Sequence, residues 1–302
     1  MQKLTCTDKP KFDKFFGARY YENSGYTFTN FFMWRKMRDY RWAIEDDVLY
    51  IFSSNEEIFA AWQPICEPEK MQDAITKILR VAEENRGDKK FMFVVVEKIF
   101  ADELEKYPHA KFNITAERDR FDYVYLAQDL INLSGRKFHG KKNHLNAFRK
   151  EYPDAKYLPI TEEIIPKCRE ELKIWAETHK RANPDNSFIE YEQATIHEIF
   201  DHFDGFKLKG GAILINGKVV AFTFGEQLNS DTAVIHVEKA DPNIRGIYAA
   251  INQNFVAHEW SDMTYINREE DMGIDGLRRA KESYRPVKLI EKFNAEIISD
   301  VE

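Results

Sequence analysis

The order of predicted elements in the first half of the chain recurs in the second, and this recurrence limits the available folds more than any single motif does. From Trp42, WAIEDDVLYIFS reads as two short strands joined through Asp46-Asp47, and EEIFAAWQPI as a third. Pro68 opens a helix in which Met71, Ile75, Ile78, Leu79 and Ala82 recur at helical spacing, and Gly87 ends it. FMFVVVEK is a strand of the apolar, β-branched kind that is buried on both faces. ADELEKYP is a short helix stopped by Pro108, and FNITAERDRFDYVYL returns as extended chain. From Gly211 the order repeats. GAILINGKVVAFTFG is a hairpin around Asn216-Gly217. A strand (DTAVIHVEKAD), a helix (RGIYAAINQNFVAHEW), a strand (MTYINRE), a helix stopped by Pro286 (IDGLRRAKESYRP) and a last strand (VKLIEKFNAEII) follow. Matching points lie roughly 170 to 180 residues apart, which is duplication at domain scale. Two helices, ITEEIIPKCREELKIWAETHKRA and YEQATIHEIFDHF, precede the second copy, with NPDNS as a polar loop between them. The expectation is a mixed α/β chain of two domains, 1–130 and 131–302, with mostly antiparallel sheets flanked by helices. The first is expected to be a degenerate copy, and the second to carry the working cleft.

Composition agrees with this reading. At about 150 residues per domain, 302 residues suit two domains. A hydrophobic share of 43% supplies two cores, while 31% charged residues and a mean hydropathy of −0.56 argue against a membrane-embedded or disordered chain. The net charge of −7 excludes a general polyanion binder but leaves room for a local basic patch. Cys6, Cys66 and Cys168 are far apart, with no CxxC pair and no Cys/His zinc spacing. Such sparse cysteines fit a reducing compartment, and no metal is expected. No apolar leader and no run of about eighteen apolar residues is present, so a cytoplasmic protein without an integral membrane segment is expected, with contact at the membrane periphery left open.

Chemistry is sought first at the second copy's central strand, Val234 to Lys239. Where such a strand splays from its neighbour it leaves a cleft, and the following helix points free N–H groups into it, a setting for an anion. Asn243, Arg245 and Gly246 sit at that turn. This order of elements resembles the GNAT (Gcn5-related N-acetyltransferase) fold, whose pyrophosphate loop reads Gln/Arg-x-x-Gly-x-Gly/Ala. This chain has Asn243-Ile-Arg245-Gly246-Ile-Tyr248, with a ring in place of the second small residue.

A resemblance over nearly the whole chain is carried by GYTFTNFFMWR (25–35), DYVYLAQDLINLSGRKFHGKKNHLNAFRKEYP (122–153) and INREEDMGIDGLRRAKESYRP (266–286). These blocks resemble the signature of the DUF2156 family, which shares the fold of the phosphatidylglycerol lysyltransferase C-terminal domain. The resemblance implies two tandem GNAT-like domains, similar to the Fem-type aminoacyltransferases. It further implies transfer of an aminoacyl group from aminoacyl-tRNA to an amine or hydroxyl of a small molecule, peptide or lipid headgroup.

The candidate residues follow from these two readings. Arg136, Lys137, Lys141, Lys142 and Arg149 form a basic segment suited to tRNA phosphates or a CoA 3′-phosphate. Asn267 and Asp271 follow a strand, where a carboxylate can hold an amino group or take a proton. Lys281 is a candidate oxyanion donor or phosphate ligand and Tyr284 a proton donor. His236 and Glu238 share one face of the central strand, with Glu238 as a base through water. Asn243, Arg245, Gly246, Tyr248 and Tyr284 are the residues for an activated donor, aminoacyl-tRNA or acyl-CoA, and no tightly bound cofactor is expected. Two alternatives remain at this point: an acyl-CoA-dependent N-acyltransferase, and a non-catalytic module that holds an amino acid, a peptide or a tRNA end.

Overall fold

The computed structural model describes residues 1–182 and 187–300; the NPDN stretch at 183–186 lies outside the described residues. The chain begins with β1 (Gln2–Lys3), α1 (Lys9–Phe16), α2 (Phe28–Arg38), β2 (Arg41–Glu45), β3 (Val48–Ser54), β4 (Ile58–Ala61) and α3 (Met71–Asn85). There follow β5 (Lys90–Val96), α4 (Lys98–Glu105), β6 (Ala110–Ala116), β7 (Asp122–Leu126), α5 (Ala127–Asn132), α6 (His139–Glu151) and β8 (Lys156–Pro159). Next come α7 (Ile165–Ala182), α8 (Ser187–Asp201), β9 (Lys209–Ile215), β10 (Lys218–Gln227) and β11 (Thr232–Ala240). The chain closes with α9 (Ile247–Glu259), β12 (Tyr265–Asn267), α10 (Asp275–Glu282), β13 (Lys288–Ile290) and β14 (Phe293–Asp300).

The strands form two sheets, ordered β1-β2-β3-β4-β5-β14-β6 and β13-β7-β12-β11-β10-β9-β8. Each has one parallel pair beside its centre, β4 with β5 and β11 with β12, and the other pairs whose register is resolved are antiparallel. The duplication is visible in the numbering: β4 starts at 58 and β11 at 232, β5 at 90 and β12 at 265. Both hairpins turn through two residues of positive φ, Asp46-Asp47 and Asn216-Gly217, as a two-residue turn matching strand twist requires. Each sheet has its own core. Phe52, Ile75, Ile78, Phe93 and Phe100 lie in the first, and Tyr125, Ile213, Ala250, Phe255 and Ile266 in the second.

The division of the chain differs from the single cut expected at 130/131. One compact unit comprises Met1–Asp122, Glu270–Gly273 and Ile290–Glu302, the other Tyr123–Glu269 and Ile274–Leu289. The two halves exchange their last strands. β14 lies between β5 and β6 in the first sheet, and β7 lies between β12 and β13 in the second. The reason is visible in β7, where Tyr123, Val124 and Tyr125 are all buried. A strand covered on both faces needs a ladder on both edges, and the second sheet supplies it, with Ile266 opposite Tyr125 and Asn267 opposite Val124.

In the second unit β11 and β12 pair only from Thr232 to Val234, while β11 continues to Ala240. From Ile235 onward no strand among the described residues pairs with β11 on that side, and this opening is the splay expected from the order of elements. Helix α9 starts beyond it at Gly246, whose φ is 82°. A Cβ there would fall 2.1 Å from the carbonyl oxygen of His144, so only glycine lets α6 approach this closely.

Candidate active site

A charged cluster occupies the splay of the second sheet. Glu238, on β11, accepts hydrogen bonds from Arg268 Nη2 at 3.1 Å and from Asn252 Nδ2, on α9, at 3.2 Å. Arg268 directly follows β12, so the ion pair spans the gap between the separating strands; both side chains are 13% exposed. The guanidinium lies over the rings of Tyr284 and Tyr125, with centroids at 4.8 and 5.7 Å. Two atoms of this cluster are buried without a hydrogen-bond partner: the donor Arg268 Nη1 and the acceptor Asn252 Oδ1. Buried polar atoms are nearly always paired, so an orphan donor and an orphan acceptor on two side chains held by one carboxylate mark a place for a group offering both functions.

Lys141 reaches the same cluster from α6, its Nζ 4.1 Å from the Tyr284 ring centroid. Burial lowers its pKa to about 8, with the neighbouring Arg268 charge adding to the effect and Glu238 opposing it. Burial likewise raises the Tyr284 phenol to about 12. The cluster therefore holds one permanent cation, one carboxylate and one amine that gives up its proton around pH 8.

The turn presenting Arg268 is held from several sides. Lys281 Nζ donates to the carbonyl oxygens of Arg268 and Glu269, the latter at 3.0 Å. Glu269 has a φ of 56°, and its backbone N–H is capped by Asn267 Oδ1 at 2.8 Å. Its carboxylate meets His236 Nδ1 at 2.8 Å, while His236 Nε2 meets Glu226 at 3.0 Å. The His236 side chain is 0% exposed. Burial alone would lower its pKa, but the two carboxylates outweigh this and raise it to about 9. His236 is thus an imidazolium donating to both acids.

The structure separates the residues singled out in the sequence. Glu238, Lys141 and Tyr284 come together in the splay, and Asn267 and Lys281 support the turn beside it. Asp271 departs from the expected role. It belongs to the first unit, fully buried, paired with Arg118 at 3.3 Å and accepting from the Gly273 N–H, so its charge is spent on structure. Asn243 folds onto Asp241 and Arg245 is exposed, neither drawn into the cluster. Tyr248 is 39% exposed, its hydroxyl donating to the Ala240 carbonyl at 3.3 Å. Arg136, Lys137, Lys142 and Arg149 remain on the surface; Lys137 pairs with Asp129 and Arg149 donates to Gln253. Arg268 and Asn252 were missed in the sequence. Arg268 lay among the acids of INREEDMG, and the one signal for Asn252 is a polar residue on an otherwise apolar helix face.

The corresponding gap in the first unit is closed by its own chain. Beyond β4 and β5, Gln63 Oε1 accepts from the Glu97 N–H at 3.0 Å and Gln63 Nε2 donates to the Glu97 carboxylate at 3.3 Å. Asn23 donates to the Val95 carbonyl at 3.0 Å. Trp62 packs against Phe31 and Tyr26, with ring centroids at 4.6 and 5.9 Å.

Two sheets, each with a splayed parallel pair beside a helix, define a tandem GNAT-like protein, a fold class of acyl-group transferases. The chain matches the family described as phosphatidylglycerol lysyltransferase, C-terminal, over residues 18–296, and it belongs to that family. At family level the chain is related to acyl-group transferases of the GNAT-like fold. A protein of unknown function from Bacteroides thetaiotaomicron is 34% identical, with 98% of this chain and 99% of that one covered and a TM-score of 0.90. L-PGS from Bacillus licheniformis shares the fold, with a TM-score of 0.68 at 14% identity over 96% of this chain and 91% of that one. The uncharacterized protein MYCGA3080 of Mycoplasmoides gallisepticum is 25% identical over 177 residues, 59% of this chain. The match spans 56% of that relative's length. Among the described residues no helix is long and apolar enough to cross a membrane.

Proposed function

We propose that this protein transfers an aminoacyl group from charged tRNA to an amine or hydroxyl acceptor, in the splay of the second sheet. The observation that carries the reading is a pair of buried, unpartnered atoms, the donor Arg268 Nη1 and the acceptor Asn252 Oδ1, on two side chains that both hydrogen-bond to Glu238 through their other nitrogens. An aminoacyl ester offers the matching pair, a carbonyl oxygen to accept from Arg268 and an α-ammonium to donate to Asn252 and Glu238. The acceptor's lone pair attacks the ester carbonyl carbon, and the oxygen, now negative, stays on Arg268 Nη1. The C–O bond to the ribose breaks. The proton lost by the acceptor passes to neutral Lys141 and from there to the departing ribose oxygen. Lys281 and His236 act as positioning residues, because their polar atoms are committed to the turn that presents Arg268. The exposed Arg136, Lys137, Lys142 and Arg149 offer charge to the tRNA backbone.

Two features weigh against acyl-CoA as donor. The Tyr248 ring stands at the start of α9, where a GNAT pyrophosphate loop has a small residue, and its hydroxyl is fixed on Ala240. Gly246 is packed against the His144 carbonyl, which narrows the backbone surface an anion would need. The first unit is read as a degenerate copy, because Gln63, Glu97 and Trp62 fill its gap. The test is product analysis by mass spectrometry with a panel of charged tRNAs and acyl-CoAs against amine and hydroxyl acceptors. The reading expects a product bearing the amino acid, dependent on charged tRNA and lost in Arg268→Gln. Acylation from acyl-CoA, or no product from any donor, would refute it.

A further inference from the structure

Helices α6 and α9 meet at Gly246, where a Cβ would fall 2.1 Å from the His144 carbonyl oxygen and 3.1 Å from Phe148 Cβ. One turn further along α9 stands Ala250, whose single methyl group leaves space open opposite Leu145 and Phe148. Helix α6 ends with the Tyr152 N–H donating to the Phe148 carbonyl at 2.9 Å, because Pro153 cannot continue it. The chain then turns through Ala155 into β8, an edge strand of the second sheet. On β8, Tyr157 lies opposite Ile213. Its ring stacks on His258 with centroids 4.5 Å apart, and its phenol oxygen sits over Gly211, 2.1 Å from where a Cβ would be. These elements border a cavity of about 150 Å³, whose apolar walls are Leu145, Phe148, Tyr157, Ile213 and Ala250, all in the second unit. The charge of its lining is of one sign. Arg149 and Lys156 line it and are exposed, whereas Glu151 and Asp154, though close in sequence, do not line it. Arg149 gives one N–H to Gln253 at 3.3 Å, and a guanidinium carries further donors. Ala250 and Asn252 are about 200° apart around α9, so the cavity lies on another face of that helix from the transfer cleft.

We propose that this cavity is a second ligand site and that it takes a small aromatic carboxylate, with the ring inside and the carboxylate on Arg149 and Lys156. About 150 Å³ is the size at which a cavity with apolar walls takes up benzene, so one ring fills it. Entry of the ring removes apolar surface from water on both sides. A planar carboxylate matches the guanidinium fork, and the charge strengthens each hydrogen bond. Acetate would leave the walls uncovered, and an uncharged ring would leave both cations unused. The site is independent of the transfer reading above.

The test is a fluorine NMR titration of the full chain, without tRNA, with 4-fluorobenzoate and its neutral counterpart 4-fluorobenzyl alcohol. The proposal expects the carboxylate to bind about tenfold tighter or more, and acetate at equal concentration not to displace it. Combining Arg149→Gln with Lys156→Gln should abolish the preference for the carboxylate. Ala155→Leu, which places a larger side chain at the cavity wall, should abolish binding of both compounds. Arg268→Gln should leave both affinities unchanged. No binding, equal binding of the two compounds, displacement by acetate, or a preference that survives the double variant overturns the proposal. Loss of binding in Arg268→Gln does so too, because it places the carboxylate in the transfer cleft. Cytidine 5′-monophosphate makes the second arm. If it displaces the probe at about a tenth of the concentration that benzoate needs, the cavity is a nucleotide site and the assignment to an aromatic carboxylate is refuted. Should Ala155→Leu fail to fold, a crystal of the unaltered protein soaked in 4-bromobenzoate decides. The bromine signal is expected between Phe148 and Ile213, and a signal only elsewhere sinks the idea. Failure here leaves the transfer reading to its own product assay.

Discussion

Replacing His236 by Gln probes the buried acid–imidazolium–acid arrangement behind Arg268. The side chain is fully enclosed, with carboxylates at 2.8 and 3.0 Å and a pKa raised to about 9. Relative to an unfolded histidine near 6.5, that rise corresponds to about 3 kcal/mol of folded-state preference for the charged ring. The sign follows from the direction of the shift. A raised folded pKa gives stability that is complete below about pH 6.5 and is lost as pH climbs through about 9. His236→Gln removes the imidazolium that lies between Glu226 and Glu269, a break that costs about 3–5 kcal/mol. Urea midpoints of the two proteins should therefore differ most at pH 6. The gap should shrink by about 3 kcal/mol by pH 10, where the native imidazole has also lost its charge. Glu269 lies in the turn that carries Arg268, so transfer at pH 7 should fall with stability. A gap that stays constant from pH 6 to 10 would refute the charged state of His236.

Three other substitutions test the cluster and its frame. Arg268→Gln should lower the transfer rate about 10²–10³-fold through loss of the oxyanion donor. Adding Glu238→Gln should recover stability without recovering the rate, as single-turnover kinetics and denaturation together would show. For Lys141, the native rate should rise with pH through about 8 as the amine becomes neutral, and Lys141→Met should lose that limb and fall about 10²-fold. Because the Lys141 pKa is depressed on folding, the unfolded chain retains that proton above pH 8. Its contribution thus makes the native protein more stable with rising pH, and the methionine variant should lack this increment. Gly246→Ala puts a Cβ 2.1 Å from the His144 carbonyl at a φ of 82°. It should destabilise the protein by about 1–3 kcal/mol in denaturant titrations, whereas an unchanged midpoint would mean that α6 and α9 are not in close contact.

The sheets were legible from local signals, because Asn216-Gly217, Asp46-Asp47 and the β-branched FMFVVVEK state their conformations within a few residues. The exchange of β7 and β14 was not. DYVYL and FNAEII read as strands, but which sheet a strand completes is a long-range choice, settled by which edge can pair with it. Site residues divide along the same line. Glu238 stood out through alternation on β11, and Lys141 through its basic segment, although its turn inward onto Tyr284 separates it from the surface cations. Asp271 was drawn in by its place after a strand, whereas its buried pairing with Arg118 depends on a residue 153 positions away. Arg268 and Asn252 matter through the atoms they leave unpaired, and no spacing rule encodes that.

The central claim is that the splay of the second sheet receives the aminoacyl ester. Its most direct test is a crystal structure of the protein with a stable aminoacyl amide of 3′-amino-3′-deoxyadenosine. The amide carbonyl should lie within hydrogen-bond distance of Arg268 Nη1 and the α-ammonium beside Glu238 and Asn252, with Lys141 facing the carbonyl carbon. Density for the compound elsewhere, with Arg268 Nη1 still unpartnered, would contradict the account.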